Sequence, residues 1–413
     1  MINFTNILKT CFRKTLEFLN MGGLMVSQVT TNNDFDIDEM TKVIENGNIN
    51  FLVGSGISSK YLSVLGNIEV LLTELKFESR FDDQQKKVIK VSILKKFFDE
   101  VIVKNINLLG DCTDPTANTV IDTYIECLRL WIDILLKRRN GLLNKQANIF
   151  TSNYDVFFEK AFDQLGVEFN DGFTGRFVQL FKTSNFSKLI FKKSLQYGNI
   201  AEIPLFNLFK VHGSLTWCKE GQNVVYSDLS IVKKIQQDFK DLTDLIPIDG
   251  SWKKASEIVI DTTKKYSVTT RMQEFLDRYG NLAIINPTKL KFEDSVLDCN
   301  FYDLLRIFSN ELEKENTALF VFGFSFADEH IAKIVKRAVD SNPTLKVYIF
   351  AFDYSAKDEI TVNIGSDFKY NNIQVIIPPI GTDRKEKYKL NLENINKNIF
   401  SKITKRIGQI GGK

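Results

Sequence analysis

Short apolar runs alternate with longer amphipathic segments along most of this chain. Within the longer segments, apolar positions recur three or four residues apart, which is the spacing of one helix face. Strands that alternate with helices are typical of a parallel sheet covered by helices on both faces. The pattern therefore predicts an α/β fold with a doubly wound parallel sheet. The predicted strands are Ile49–Val53, Ala147–Phe150, Leu205–Val211, Leu282–Ile285, Ala318–Phe322, Leu345–Phe350 and Ile373–Ile377.

Two long segments interrupt this alternation, and we interpret them as helical insertions. The first spans about 64–145, and the second spans about 219–280 and is rich in Lys and Asp. A shorter helical stretch is predicted near 184–195. The clearest helix of the first insertion carries an apolar stripe that we assign to the core. The stripe consists of Ile121, Tyr124, Ile125, Leu128, Trp131, Ile132 and Leu135.

The beginning of the chain forms a separate predicted unit. Residues 1–40 are expected to be an N-terminal arm, and residues 41–413 one α/β domain that carries both insertions. Apolar residues of the arm fall near helical spacing, which predicts an amphipathic helix. These residues are Phe4, Leu8, Phe12, Leu16 and Leu19.

Composition narrows the functional classes. Apolar residues make up 44% and charged residues 25% of the chain, and the net charge is only +3. Because basic and acidic residues are interspersed, direct nucleic-acid binding is not expected. The five cysteines form no C-x-x-C pair, which argues against zinc ribbons and redox motifs. The scattered cysteines fit a cytoplasmic, reducing setting. No apolar run approaches the roughly 18 residues of a spanning helix, so no membrane segment is expected.

The first predicted strand ends in a glycine-rich turn, GSGIS, at Gly54–Ser58. Glycines have no Cβ, so such a turn can bring backbone N–H groups close to a phosphate at a helix start. The turn is not a Walker A loop, because no Gly-Lys-Ser/Thr follows. An ordinary tight turn explains the same residues equally well.

Two other strand ends carry side chains suited to catalysis. TSNYD, at Thr151–Asp155, places Asn153 and Asp155 just past a strand, where they could bind hydroxyl or amide groups. The same residue types are common helix caps. His212 follows the run Leu205–Val211, and histidine can exchange a proton near neutral pH. A structural core histidine is the alternative.

Later in the chain, GFSFADEH presents Ser325 to a phosphate or a ribose. Asp328 is predicted to cap the next helix, and His330, in the first turn of that helix, is interpreted as structural. Asp353 follows another strand and could bind ribose hydroxyls, as acids do in dinucleotide folds. It could equally form a turn.

The order of these motifs resembles that of the bacterial sirtuin-like family. The resemblance covers roughly residues 45–360, outside the two insertions. It rests on VGSGIS, IFTSNYDVFFEKAFDQLG, LFKVHGS and FGFSFADEHI, and on INPTKLKF at Ile285–Phe292.

The resemblance implies a Rossmann-like core that binds NAD. His212 would be the general base, and Asn153 and Asp155 would lie around the nicotinamide ribose and carboxamide. The remaining residues would bind the cofactor, with the first turn along the pyrophosphate and the late glycine and serine near the adenosine half. These residues are Gly54, Ser55, Gly56, Ser58, Thr151, Gly323, Ser325 and Asp353.

The chain departs from sirtuin deacetylases because it lacks their set of four zinc-binding cysteines. Its helical insertions instead resemble those of antiphage sirtuin-like NADases, a group that includes proteins paired with a HerA-type hexameric ATPase. The resemblance therefore implies an oligomeric defence effector that hydrolyses NAD to nicotinamide and ADP-ribose, with no metal. An NAD-dependent protein deacylase and a non-catalytic scaffold that binds NAD or ADP-ribose are the alternatives.

Overall fold

The structure is a computed structural model, and it describes most of the chain from Val29 onward. The predicted N-terminal helix and the segment 286–292 lie outside the described residues. The described ranges are 29–31, 36–62, 66–196, 198–248, 258–261, 264–285, 299–365, 368–381 and 386–408.

The described elements alternate largely as the hydrophobic pattern predicts. The strands are β1 (Val29–Thr31), β2 (Asn48–Val53), β3 (Gln146–Thr151), β4 (Phe169–Asn170), β5 (Phe173–Thr174), β6 (Leu180–Phe181), β7 (Phe191–Lys193), β8 (Ile200–Glu202), β9 (Leu205–Lys210), β10 (Gly213–Glu220), β11 (Asn223–Tyr226), β12 (Leu282–Ile284), β13 (Thr317–Phe322), β14 (Lys346–Phe350) and β15 (Ile373–Ile377). The helices are α1 (Ile37–Asn46), α2 (Gly66–Phe77), α3 (Asp83–Phe97), α4 (Pro115–Lys137), α5 (Phe157–Leu165), α6 (Ser230–Asp238), α7 (Thr270–Gly280), α8 (Cys299–Glu313), α9 (Glu329–Ser341), α10 (Tyr354–Ile364), α11 (Leu392–Ile395) and α12 (Ser401–Arg406).

The central sheet has eight strands in the order β1-β15-β14-β13-β2-β3-β9-β4, and every neighbouring pair is parallel. Both faces are covered, since Phe51 and Leu52 of β2 point into two different buried clusters. This confirms the predicted Rossmann-like, doubly wound α/β fold. The chain runs outward from β2 through β3 to β9 and then returns to the other side of β2 as β13. Ligands bind outside the carboxyl ends of the strands at such a reversal.

An asparagine ladder fixes the register of the three strands that carry most of the predicted site. Asn50, Asn148 and Asn207 lie side by side on β2, β3 and β9. Asn207 Nδ2 donates to Asn148 Oδ1 at 2.9 Å, and Asn148 Nδ2 donates to Asn50 Oδ1 at 2.9 Å. A slip of one residue would turn an amide to the other face of the sheet. The ladder therefore keeps the carboxyl ends of these strands level.

The first insertion forms α2, α3 and α4, which share one buried cluster with residues of the sheet. The ring of Trp131 on α4 meets Phe51 of β2 edge-on, with centroids 4.7 Å apart. Five members of the predicted stripe are buried, and Ile125 and Ile132 are partly buried against the same core. This confirms the stripe as core. Within described residues 66–145, the large apolar side chains left exposed are Phe77, Leu109, Leu136 and Leu142.

Two local predictions were wrong. Residues 184–195 form no α-helix: a 3₁₀ turn at Thr183–Ser187 leads into β7, which pairs with β8. The second insertion begins with strands, since β10 continues to Glu220 and pairs with β11 around Gly221. Within the described part of that insertion only α6 and α7 are helices. Local helical spacing does not reveal a strand whose partner supplies its hydrogen bonds.

The predicted strand at Leu282–Ile285 exists as β12 but belongs to a second sheet. That sheet has the order β12-β10-β11-β6-β5, and its pairs are antiparallel. It extends directly from the residue after His212, because β10 begins at Gly213. The second sheet therefore supports the turn that carries the histidine.

Candidate active site

A cavity of about 400 Å³ lies at the carboxyl ends of β2, β3, β9, β13 and β14. This volume is within the usual range for small-molecule sites. The cavity brings together most of the residues singled out in the sequence. Those that line it are Ser55, Gly56, Ser58, Asn153, Asp155, His212, Gly323 and Ser325. Gly54, Thr151 and Asp353 are not among its lining residues.

The glycines of the first turn let two backbones come into direct contact. The N–H of Gly54 donates to Phe322 O at 2.9 Å, and the N–H of Gly56 donates to Gly323 O at 3.0 Å. A Cβ on Gly54 would lie only 2.4 Å from Gly323 O. Gly323 has a φ of +57°, in the region that favours glycine. The turn after β2 is therefore hydrogen-bonded to the turn after β13, at the point where the strand order of the sheet reverses.

This contact changes the predicted role of the first turn. Its two glycine N–H groups were expected to face a phosphate, but in the folded chain both already have carbonyl partners. The N–H of Ser58 likewise donates to Ser55 O at 3.2 Å. The turn still lines the cavity through Ser55, Gly56 and Ser58.

Asn153 is held by its neighbours at one end and left open at the other. Its backbone N–H donates to Thr151 Oγ1 at 3.0 Å, and its Nδ2 donates to Gly54 O at 3.1 Å. Thr151 Oγ1 in turn donates to Val53 O at 2.9 Å, so Thr151 supports the turn from within the core. Asn153 is 6% exposed, and its Oδ1 accepts no hydrogen bond. A buried acceptor without a partner on a cavity wall is suited to a ligand hydroxyl.

Asp155 is buried beside the same turn. Its Oδ2 accepts from Ser58 Oγ at 3.1 Å, and its Oδ1 accepts from the N–H of Phe157 at 3.3 Å. Burial raises the pKa of Asp155, and the positive charge of Lys210 opposes that rise. The carboxyl group of Asp155 therefore links the Gly54–Ser58 turn to the Thr151–Asp155 turn.

Lys210 was not singled out in the sequence, and its side chain is buried next to the Asn153–Asp155 turn. It ends β9 and is 1% exposed. Its Nζ donates to the backbone carbonyl of Asp155 and lies 3.1 Å from Glu159 Oε1. Burial raises the pKa of Glu159, and Lys210 again opposes the rise. The lysine thus ties the Asn153–Asp155 turn to α5 and to the strand that carries the histidine.

His212 is positioned by strands on both sides. The N–H of Val211 donates to Thr151 O at 3.0 Å, and His212 O accepts from Ile285 N at 2.9 Å. The imidazole Nε2 lies 3.1 Å from Asp328 Oδ2. Asp328 also caps α9, because its Oδ1 accepts from the N–H groups of His330 and Ile331. The predicted cap is confirmed, but its contact with His212 was not foreseen.

Asp353 has a different role from Asp328. Its Oδ1 accepts from Ala356 N at 2.8 Å, which caps α10, and its Oδ2 lies 3.1 Å from Lys389 Nζ. The Ala356 N–H is the main reason that the pKa of Asp353 is lowered, and Lys389 adds to it. On the cavity wall, α10 instead presents Glu359.

The described lining is acidic. It contains the carboxylates of Asp155, Asp328 and Glu359 and no lysine or arginine. Nowhere in the described part of the chain are three or more His, Cys, Asp or Glu side chains grouped as a metal site would require. None of the described helices is both long and apolar enough to cross a membrane.

Comparison with known proteins bears on this site. A family model described as a SIR2-like domain matches residues 147–376, more than half of the chain. The match includes Asn153, Asp155 and His212 and leaves out the Gly54–Ser58 turn. One solved structure, described as the structural basis for the mechanism and regulation of Sir2 enzymes, aligns at 12% identity with a TM-score of 0.34. That alignment covers 90% of this chain and 97% of the other. No curated protein matches the chain.

Proposed function

Because the chain belongs to the SIR2-like domain family, we propose that it is an NAD-dependent enzyme that hydrolyses NAD to nicotinamide and ADP-ribose. One observation carries the proposal. The unpartnered Oδ1 of Asn153 and the imidazole of His212 line one cavity, at the ends of adjacent strands. A hydroxyl-binding oxygen and a proton acceptor are the two groups that this hydrolysis needs.

The reaction breaks the bond between the nicotinamide nitrogen and the ribose. Nicotinamide leaves as a neutral ring because the pyridinium takes up the bonding electron pair, so the leaving group needs no acid. The ribose passes through an oxocarbenium-like state, as in glycoside cleavage. A water oxygen then bonds to the ribose carbon and releases one proton. The protein must hold the ribose, exclude other water and accept that proton.

In this proposal His212 accepts the proton, from the water directly or through a ribose hydroxyl. Asn153 Oδ1 accepts a hydrogen bond from the ribose or the water. A buried polar atom without a partner costs about 1–3 kcal/mol, and a bound hydroxyl would remove that cost. Asp155, held by Ser58, would orient the turn or the nicotinamide carboxamide.

The rest of the cavity accommodates the other parts of NAD. Ser55, Gly56 and Ser58 form the wall proposed for the pyrophosphate. Gly323 and Ser325, on the turn after β13, lie on the side proposed for the adenosine half. Gly54 and Thr151 act behind the wall through the hydrogen bonds described above, and Asp353 holds α10 in place.

Mass spectrometry of NAD incubated with the purified chain tests the proposal. We expect nicotinamide and ADP-ribose from the wild type. His212→Ala should lower turnover about 10²- to 10⁴-fold, the usual contribution of a general base. Asn153→Ala should abolish most turnover in folded protein, while the lost hydrogen bond to Gly54 O lowers stability by only about 0.5–1.5 kcal/mol. His330→Ala is the matched control, since it changes the other histidine, which does not line the cavity, and it should keep wild-type turnover.

The outcome separates the rival functions. Near-wild-type turnover in folded His212→Ala protein would refute the catalytic assignment. Deacylation of an acetylated peptide, without hydrolysis of NAD alone, would establish the deacylase. NAD or ADP-ribose binding that survives His212→Ala, with no product from any variant, would establish a scaffold.

We further propose that the enzyme is an oligomeric antiphage effector that acts with a HerA-type hexameric ATPase. The support is the resemblance in overall plan, together with the need to restrain an enzyme that depletes NAD. Among the described side chains of the first insertion, most apolar ones are buried and a few are exposed and available for contacts. Light scattering and co-purification with such an ATPase are the tests. A monomer at micromolar concentration rejects self-assembly, and unchanged NAD turnover on mixing rejects the ATPase as the regulator.

A further inference from the structure

We propose that Asp328 is a positioning residue that selects the proton-accepting atom of His212. It favours the tautomer with the proton on Nε2, which leaves Nδ1 as the atom that accepts a proton during turnover. The role of Nδ1 in catalysis rests on the proposed NAD hydrolysis. The tautomer itself does not, because it follows from the contact between the two side chains.

The carboxylate of Asp328 is held in place independently of the histidine. Its Oδ1 accepts from His330 N at 3.1 Å and from Ile331 N at 3.3 Å, at the start of α9. Backbone donors and the positive end of the helix favour the negative charge. With Oδ1 fixed in this way, Oδ2 lies 3.1 Å from His212 Nε2, at ion-pair distance but without the alignment of a hydrogen bond.

Burial makes this contact selective. The side chains of His212 and Asp328 are 9% and 8% exposed, so water competes little for either. A neutral imidazole has one nitrogen that donates and one that accepts, while an ionised carboxylate only accepts. Placing the lone pair of Nε2 against Oδ2 would set two acceptors 3.1 Å apart. Placing the proton there is favourable, because the partial positive charge of the N–H group then faces a carboxylate oxygen at short range.

The tautomer decides the path of the proton. The bond from oxygen to hydrogen breaks in the attacking water or the ribose hydroxyl, and a bond from that hydrogen to Nδ1 forms. Both ring nitrogens then carry a proton, and the imidazolium charge lies beside the Asp328 carboxylate. Asp328 gains no proton in this step, and its proposed effect on turnover is exerted through His212.

Nitrogen NMR tests the tautomer without any substrate. The chain contains only two histidines, so protein labelled with ¹⁵N-histidine gives two sets of ring signals, and His330→Gln identifies those of His212. We expect a protonated Nε2 and an unprotonated Nδ1 in neutral His212. In Asp328→Asn, whose amide can donate to Nε2, the Nδ1–H form should gain population. A wild-type His212 with its proton on Nδ1, or a pattern unchanged in Asp328→Asn, overturns the proposal.

Kinetics test the role in turnover, with a second helix cap as control. Asp114 caps α4 in the same way, with Oδ1 accepting from Thr116 N and Ala117 N. Because Asn is as good a cap as Asp, Asp328→Asn and Asp114→Asn should unfold at similar temperatures. Asp328→Asn should lower kcat about 10²-fold or more, within the range for a misdirected general base, and leave KM within about threefold. Asp114→Asn should keep both constants.

The experiments distinguish failure of the proposed NAD hydrolysis from failure of the role proposed for Asp328. If the wild type releases no nicotinamide, the proposed function fails while the NMR result still decides the pairing. If the wild type is active and Asp328→Asn keeps the kcat of Asp114→Asn, the hydrolysis stands and the role of Asp328 is rejected.

Discussion

Gly54→Ala tests whether the two turns at the sheet reversal must touch. The added Cβ would lie 2.4 Å from Gly323 O and 2.8 Å from the Cα of Phe324. Both are backbone atoms, so no side-chain rotation can relieve the overlap. An ordinary contact begins near 3.4 Å, and the turns must therefore separate by about 1 Å.

The cost follows from what that separation breaks. The hydrogen bonds Gly54 N to Phe322 O, at 2.9 Å, and Gly56 N to Gly323 O, at 3.0 Å, would both be stretched beyond useful length. Each contributes about 0.5–1.5 kcal/mol, and overpacking adds about 1–3 kcal/mol. We expect the free energy of unfolding to fall by about 2–6 kcal/mol. NAD turnover should fall as well, because Gly56 and Gly323 line the cavity.

Urea unfolding followed by tryptophan fluorescence measures the change, since Trp131 and Trp217 are buried. Gly141→Ala is the matched control, because its added Cβ has no heavy atom within 4 Å. The control should stay within about 0.5 kcal/mol of wild type, as surface substitutions usually do. If Gly54→Ala is as stable as Gly141→Ala, the backbone contact is not required and our account of this glycine is wrong.

Two further predictions concern charge at the site. Burial raises the pKa of Asp155 above the ordinary value for aspartate, so ionising Asp155 costs stability as the pH rises from the unfolded-state pKa toward the higher folded-state pKa. Asp155→Asn removes that cost, so the stability of the variant relative to wild type should increase from about pH 4 to about pH 7, while NAD turnover falls. If the difference in unfolding free energy between variant and wild type is the same at both pH values, this prediction is wrong. The acidic described lining, Glu359 included, should disfavour the extra phosphate of NADP, which brings close to two negative charges. Glu359→Gln should lower the preference for NAD, measured as kcat/KM for NAD divided by kcat/KM for NADP, by about 3- to 30-fold, as expected for partly screened charges. Asp358→Gln, on the same helix but outside the lining, should leave this preference unchanged. If both variants show the same preference, Glu359 does not contact the bound nucleotide.

Much of the fold, and the position of several site residues, could be predicted from the local sequence pattern. The apolar runs predicted the strands of the parallel sheet, and the residues that follow them placed Asn153 and His212 at the same edge. Burial of a strand and capping of a helix depend on residues only a few positions apart. For that reason Asp328 could be predicted as a cap from its place before α9, and the Ile121–Leu135 stripe as core.

The tertiary structure alone decided which of these groups meet. Asp328 contacts His212, and Gly54 contacts Gly323, only because β13, which begins at Thr317, returns beside β2, which ends at Val53. Asp353 had the same local signature as a ribose-binding acid, but Lys389 and the N–H of Ala356 occupy its carboxylate. Such pairings depend on the register and order of strands far apart in the chain, and no local spacing of apolar and polar residues encodes them.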